Sequence, residues 1–600
     1  MLPIELLALV LAAAALKPAA LLLLCSGAIV AVLYSRLRRV SCVQTAAPVL
    51  GFGAVVLPLL DPRAILAWGF FCLILRQQTF KTLSWAAPLL LLGLIWSTAG
   101  VAASVSTADW QLLRSNPGQF LTWYSTAPAP ELQNLELMLR WFLLAALLPV
   151  LASDRELLRQ VLRGALLAVP IALIALVLQL NGSAHFVTQS SFWAALGRPA
   201  ASFSDPNALG IGAFLLLLLT LTSEARTIAG RRGSFGLVVC CLALGLYSGS
   251  RSFIFGIIAY ALIRLWGNRP KQFVGGLAIL VAILLGLNGL NRATPEVLQG
   301  LRANAPSAIV RVADTLNYST SQEALFSRWA FLRIAAEIWH AHPILGVGPA
   351  AFAGLVPVTA SKLGLSTGLW ADNPNNFYLG ILAEFGLLGF FALFLCMRRL
   401  GFSPGAEPAM RAGVGAFMLL LLLGPHLDFN EITVLFAVLS GFALTPRPER
   451  AQLTGAPFLL LCSAAAIATA AWSGPRGLYN WEPDGNSGVA RWTISRARTF
   501  VDCGANNSAT LHYQLLNPDL ERRPVVVQLS VPGEPALQQL HRRAGSFDQS
   551  WRCISDQAGL PAAIPIDISV SRMWIPAAYK LSSDPRALGI RLLFDKLPQQ

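Results

Sequence analysis

Long apolar runs recur along most of this chain, and they leave few folds open. "PIALIALVLQL" (Pro170–Leu180), "LGIGAFLLLLLTL" (Leu209–Leu221) and "FYLGILAEFGLLGFFALFLCM" (Phe377–Met397) are three of many. In hydrocarbon every backbone N–H and C=O must find its partner within the protein, so a spanning segment is a helix or a strand of a closed barrel. These runs are continuous rather than alternating, which selects helices. The 600 residues are 55% hydrophobic and 12% charged, against about 25% charged in a soluble domain. Spans are expected near 2–16, 19–34, 44–60, 64–76, 82–105, 133–152, 164–180, 207–223, 234–247, 252–265, 273–290, 377–397, 411–424, 430–445 and 456–473. Several are short for a straight crossing, so the expectation is a mainly α, polytopic transmembrane helix bundle of about 12–15 spans. Met1–Leu16 lacks a basic start and a small-residue cleavage site, and is read as a retained helix rather than a signal peptide.

The net charge of +15 does not point to nucleic acid, because of where the charges lie. Arginines and lysines fall in short clusters between apolar runs, for example Arg36, Arg38 and Arg39, then Arg155, Arg159 and Arg163, then Arg226, Arg231 and Arg232, then Arg398, Arg399 and Arg411. Short basic loops mark the cytoplasmic side. With those loops inside, segments 106–130, 181–206 and 291–376 fall outside. The last holds an amphipathic stretch, Ser321–Pro343, with Ala324, Leu325, Trp329, Leu332, Ile334 and Ile338 as its apolar stripe and Ser321 near its start.

Beyond Trp472 the composition turns polar, with alternating runs such as "PVVVQLSV" (Pro524–Val531) and "IPIDISVS" (Ile564–Ser571). That pattern predicts a small β-sandwich. Three regions follow: 1–43 as an N-terminal membrane hairpin, 44–473 as the membrane core with its large periplasmic loop 291–376, and 474–600 as the sandwich. Cys503 and Cys553 lie in this outside tail and are expected to form a disulfide.

The residues able to carry chemistry are mostly arginines. Arg251 stands in "SGSRS" (Ser248–Ser252), inside an otherwise apolar stretch. At mid-bilayer an arginine costs about 3 kcal/mol. Either it snorkels from a tight turn or it binds an anion in a cavity. Arg198 stands in "RPAASFSDPNALG" (Arg198–Gly210), whose Asp205-Pro206-Asn207 reads as a helix start. Arg328 lies on the amphipathic stretch. Gly346 and Gly348 in "HPILGVG" (His342–Gly348) allow backbone N–H groups to face a ligand. No nucleotide-binding, hydrolase or zinc motif is present, and His340 and His342 lack a third ligand. Neither a metal nor a cofactor is expected. Arginine matches phosphate oxygens bidentately, so the ligand these residues suit is a phosphate or pyrophosphate at the outer leaflet.

Taken together, "SGSRS", "RPAASFSDPNALG", "SRWAFLRIAAEIWHAHPILGVGPAAF" (Ser327–Phe352) and "NNFYLGILAEFGLLGFFAL" (Asn375–Leu393) resemble the O-antigen ligase and O-antigen polymerase superfamily over roughly residues 40–445. The resemblance implies a metal-independent membrane glycosyltransferase of the bacterial inner membrane. Its donor would be an undecaprenyl-pyrophosphate-linked glycan at the periplasmic face, and its acceptor a glycan or lipid. Other polysaccharide-assembly proteins would be partners. Arg251, Arg198 and Arg328 would hold the donor pyrophosphate, and Asn376 and Tyr378 would be substrate-binding positions. The family's usual histidine is replaced here by Asn375. An amide cannot accept a proton, so Asn375 would position hydroxyls, Asp372 would be the nearest base and Glu384 would lie further off; alternatively no base is needed, because pyrophosphate is a good leaving group whose charge the arginines stabilise. A lipid-linked oligosaccharide flippase and a non-catalytic scaffold are the competing readings.

Overall fold

The computed structural model describes residues 41–59, 61–76, 86, 130–182, 198–268, 318–349, parts of 351–365, 374–446 and, with short gaps, 476–594. The expected spans at 2–16, 19–34, 82–105, 273–290 and 456–473 lie largely or wholly outside the described residues, as does Asp372. Among the described residues the chain forms eleven α-helices: α1 (Cys42–Val56), α2 (Arg63–Arg76), α3 (Pro130–Ser153), α4 (Arg155–Leu180), α5 (Pro206–Thr220), α6 (Ser223–Tyr247), α7 (Arg251–Asn268), α8 (Tyr318–Ala341), α9 (Phe377–Arg398), α10 (Pro408–Leu420) and α11 (Asn430–Ala443). Four stretches, Cys42–Leu59, Arg155–Leu180, Ser223–Tyr247 and Phe377–Arg398, are long and apolar enough to cross a membrane. The chain divides into two compact units. One comprises 1–88, 139–328 and 394–451; the other comprises 89–138, 329–393 and 452–600.

In the first unit α1 and α4 lie backbone to backbone. A Cβ added at Gly51 would fall 1.8 Å from the Val161 carbonyl oxygen, and one at Gly164 would fall 1.8 Å from that of Pro48. No larger residue fits either position. Leu158, Val161, Leu162, Ala165, Val169 and Ala172 form the buried face of α4, while Leu167, Ile171, Ile174 and Leu178 on the other face are exposed. A helix apolar on its exposed face as well as its buried one suits a lipid surround rather than water. Asp154 caps α4 by accepting from the Leu157 N–H at 3.0 Å, and Trp68 ties α2 to α1 through its indole N–H to the Ala46 carbonyl, at 3.0 Å.

Helix α8 begins at Tyr318, three residues before the expected Ser321, and from Trp329 onward belongs to the second unit. Its buried face is Phe331, Ile334, Ala335 and Ile338, packed with Val347, Phe352 and Ala383. Trp329, expected in that stripe, is 60% exposed. The 331–334–335–338 spacing keeps one face, and Trp329 falls off it.

The tail is an antiparallel sheet with β3 (Arg476–Leu478), β4 (Glu482–Pro483), β5 (Val489–Asp502), β6 (Ser508–Leu515), β7 (Val525–Ser530), β8 (Leu537–His541), β9 (Gly545–Arg552), β10 (Ala563–Val570) and β11 (Arg591–Phe594). A two-stranded β1 (Leu400–Phe402) and β2 (Leu444–Pro446) pair separately. The tail order is β8-β7-β10-β5-β11-β6-β9, with β3 and β4 also on β5. The long β5 serves both halves: residues 496–502 pair with β10 and 489–492 with β11. The halves fold over one core, in which Tyr513, Leu529, Ile568, Trp551 and Leu592 meet. The two edge strands also approach each other, since Gln539 on β8 donates to Gln549 on β9 at 3.1 Å. Cys503 and Cys553 form the expected disulfide, with Cα atoms 6.1 Å apart. Trp492, Trp551 and Trp574 are all buried, so they serve the core.

Two outcomes follow from this packing. Gly164→Val drives α1 off α4; overpacking of this kind costs about 1–3 kcal/mol, read as a lower melting temperature of the detergent-solubilised chain. In the tail, Asp519 accepts two bonds from Arg572, at 3.1 and 2.8 Å, and one from the Tyr579 hydroxyl at 2.9 Å. Burial pushes the Asp519 carboxyl up, but those bonds and the Arg572 charge outweigh it and hold the group below the ordinary range. A depressed carboxylate stabilises above its unfolded pKa and loses that contribution as pH falls through the folded one. Tail stability therefore drops on acidification below about pH 4, and Asp519→Asn flattens that limb in melts recorded against pH.

Candidate functional site

The loop before α5 is pinned at both ends of its polar run. Gln179, near the end of α4, accepts from the Ala201 N–H at 2.7 Å and donates to the Ala201 carbonyl at 3.0 Å. That double clamp holds Ala201 at φ 50°, a left-handed conformation costly for alanine. Asp205 then caps α5 by accepting from the Asn207 N–H at 2.6 Å, with Pro206 at the first helical position. Arg198 is buried, and its Nη2 donates to the Asn207 side chain at 3.0 Å. This arginine therefore lies against the first turn of α5.

Arg251 arrives at the same helix from another direction. Ser248 Oγ donates to the Gly245 carbonyl at 2.8 Å and accepts from the Ser250 N–H at 3.0 Å, which closes a tight turn with Gly249 at φ 68°. Arg251 is the first residue of α7. The turn rests on Gly210 of α5, where an added Cβ would come within 2.3 Å of Ser250. Gly210 is one helical turn beyond Asn207, so the Arg198 and Arg251 segments converge on the start of α5.

A third element meets them, and it carries residues that the sequence reading passed over. Between α10 and α11 runs "PHLDFNE" (Pro425–Glu431). Glu431 is wholly buried, at 0% exposure. Its Oε1 accepts from the Ser204 backbone N–H at 3.1 Å and from the Ser204 hydroxyl at 2.5 Å. Asn430 accepts from Arg140 Nε at 2.7 Å and donates to the Pro62 carbonyl at 3.2 Å. Arg140, on α3, also lies 3.7 Å from Asp428. His426 is buried, with its imidazole against Gly424. Burial, and then the charge of Arg328, push His426 down to about 3, which leaves it neutral. Arg328 is thereby placed in the electrostatic neighbourhood of this segment. The hydropathy pattern alone makes residues 430–445 a plain span. The missed signal was an asparagine and a glutamate at its very start, since ionisable groups at membrane depth are seldom there for stability.

The remaining expected site residues belong to the second unit. Asn376 is a helix cap: its Oδ1 accepts from the Leu379 N–H at 3.0 Å at the start of α9. Asn375 sits at φ 54°, which asparagine tolerates better than most residues. Tyr378 follows in the first turn, with its ring 5.7 Å from that of Phe377 in an edge-to-face pair. The Gly346 N–H donates to the His342 carbonyl at 3.0 Å and the Gly348 N–H to that of Glu384 at 2.8 Å. Both N–H groups, expected to face a ligand, are thus bonded within the chain. The cause is a break in α9 at Gly386, φ 63°. Segment 343–348 lies across the break: Val347 and Gly348 donate to Ala383 and Glu384, and Leu387 and Leu388 donate back to Pro343 and Ile344. Among the described residues no group of three His, Cys, Asp or Glu could hold a metal ion.

Apolar helices long enough to cross a bilayer, joined to a polar cluster in which Arg140, Arg198, Asn430 and Glu431 are buried, define a helical membrane protein with a polar site in one compact unit. Residues 236–394 match the O-antigen ligase family model. The match supports the O-antigen ligase and polymerase superfamily. It takes in Arg251, Arg328, Gly346, Gly348, Asp372, Asn375, Asn376 and Tyr378, and leaves out Arg140, Arg198, Ser204 and the 425–431 segment. No curated protein and no solved structure matches the chain.

The Arg140–Asn430 pair gives the test of this architecture. Asn430→Leu takes away the acceptor for a buried guanidinium and the donor for a carbonyl, at a cost of about 1–3 kcal/mol. The detergent-solubilised variant melts lower than wild type, and Asn430→Asp recovers part of the loss.

Proposed function

We propose that the chain is a membrane glycosyltransferase that polymerises or ligates a surface glycan from an undecaprenyl-pyrophosphate-linked donor. It works at the periplasmic face of the bacterial inner membrane, with the C-terminal domain in the periplasm. The carrying observation is the convergence of the Arg198 and Arg251 segments on the start of α5, with Arg140 bonded to the 425–431 segment that also packs there and the charge of Arg328 acting on it. A diphosphate offers several oxygens to several guanidinium groups at once, and an acidic cluster alone would repel it. The family match supports the class of reaction.

In this reading Arg251, Arg198 and Arg328 hold the donor diphosphate and stabilise the charge that builds on it as the sugar leaves. Asn375, Asn376 and Tyr378 are assigned to acceptor recognition, since side-chain amides and a phenol suit sugar hydroxyls. Asp372, three residues before Asn375 in the chain, is a carboxylate that could serve the acceptor hydroxyl. Gly346 and Gly348 contribute through the fold of the 343–348 segment, which fixes the path of α9.

The test is Arg251→Ala. Loss of one such charge-stabilising donor lowers turnover by about 100-fold or more. The readout is surface glycan per unit of inserted protein, separated on gels. Wild-type glycan yield and length from the variant would remove Arg251 from the site and the diphosphate reading with it. Accumulated single repeat units on the lipid carrier in a deletion strain mark a polymerase; accumulated finished chains mark a ligase.

A further inference from the structure

Glycosyl transfer to a hydroxyl needs somewhere for the hydroxyl proton to go. Asn375 cannot take it. Two features of the first unit can.

Glu431 has 0% exposure, yet it is the second residue of α11, where the helix dipole favours an anion. One of its oxygens accepts from Ser204 through the N–H and the hydroxyl together, and the charge of Arg140 also acts on the carboxylate. Its other oxygen, Oε2, is buried and has no hydrogen-bond partner. Leaving a buried carboxylate oxygen unmet is costly, and stability alone does not explain it. Ser204, by contrast, is only half-buried. Its hydroxyl therefore links this enclosed carboxylate to a residue that is partly exposed. That residue lies in the same loop as Arg198, three residues before Asn207. A hydroxyl hydrogen-bonded to a base that a third group orients is the general arrangement for moving a proton; here the orienting group is the Ser204 backbone N–H.

We propose that Ser204 and Glu431 form the proton-withdrawing pair of the transfer. The acceptor hydroxyl gives its proton to Ser204 Oγ while Ser204 gives its own to Glu431. The acceptor oxygen bonds to the anomeric carbon, the bond from that carbon to the phosphate oxygen breaks, and the electron pair leaves on the diphosphate. The proton rests on Glu431 and passes back through Ser204 to solvent once the products depart. Serine ends each cycle unchanged. This assignment rests on the glycosyltransferase reading above.

The experiment uses the full-length chain in nanodiscs. The substrate is lipid-diphosphate glycan extracted from a strain lacking the gene, and undecaprenyl diphosphate is the binding probe. Glu431→Gln keeps a carbonyl oxygen for Ser204 but cannot accept a proton. It and Ser204→Ala each lower turnover by about 100-fold or more, the range of general-base catalysis. Ser204→Thr, which keeps the hydroxyl, retains most of the rate. Probe binding is unchanged in all three. Near wild-type turnover from Glu431→Gln or Ser204→Ala overturns the proposal, and so does parallel loss of probe binding, which would mark a purely structural role. Should Glu431→Gln fail to fold, the Ser204→Ala and Ser204→Thr pair decides on the same criteria. Arg251→Ala runs alongside: if it binds the probe and turns over normally, the underlying reading fails, whereas its loss beside an active Glu431→Gln sinks the proton pair alone.

Discussion

A carboxylate shut away from solvent at the start of α11 organises the polar end of the first unit. Glu431 holds Ser204 by two bonds, and beside it Asn430 joins Arg140 to the Pro62 carbonyl. Charges and amides buried this deeply persist only when each finds a partner. The pairings therefore fix where the α1–α2 connection, α3, the loop before α5 and the segment before α11 must lie. Arg198 and Arg251 then inherit their positions from backbone already held in place, which is what a binding site for a rigid, charged group requires.

The apolar part of the same unit is arranged by close approach rather than by polar pairing. Gly51 and Gly164 let α1 and α4 touch along their backbones. Where lipid competes equally for apolar side chains, such close contact supplies association that burial alone cannot. Gly210 makes an analogous allowance for the Ser248–Ser250 turn. Small residues thus decide both how helices cross and how a charged turn reaches its neighbour.

Much of this was legible in the order of residues. The apolar runs marked α1, α2, α4, α5, α9, α10 and α11 to within a few residues, apart from the start of α4, because hydrocarbon leaves a helix no alternative pattern. Alternation marked the tail strands, and two cysteines in a polar tail marked the disulfide. The polar site was read only in part. Arg198, Arg251 and Arg328 stand out as charges among apolar neighbours, but Glu431 and Asn430 sit at the start of an apolar run and their partners lie more than two hundred positions away. Long-range pairing leaves no local trace. The glycines of His342–Gly348 misled for a related reason: glycine reports that backbone must come close to something, without saying whether that is a ligand or another stretch of chain. Asn376 also starts a helix through its side-chain oxygen, a second role that its neighbours in the sequence do not announce.

The interruption of α9 at Gly386 is sealed by the crossing segment: the Leu387 and Leu388 N–H groups and the Ala383 and Glu384 carbonyls all have backbone partners there. Around it Leu387, Leu388, Phe390 and Phe391 remain exposed and apolar. An unsealed break at this depth would recruit water and provide a leak for ions. Sealed in this way, a bent helix can stay among acyl tails without short-circuiting the membrane potential.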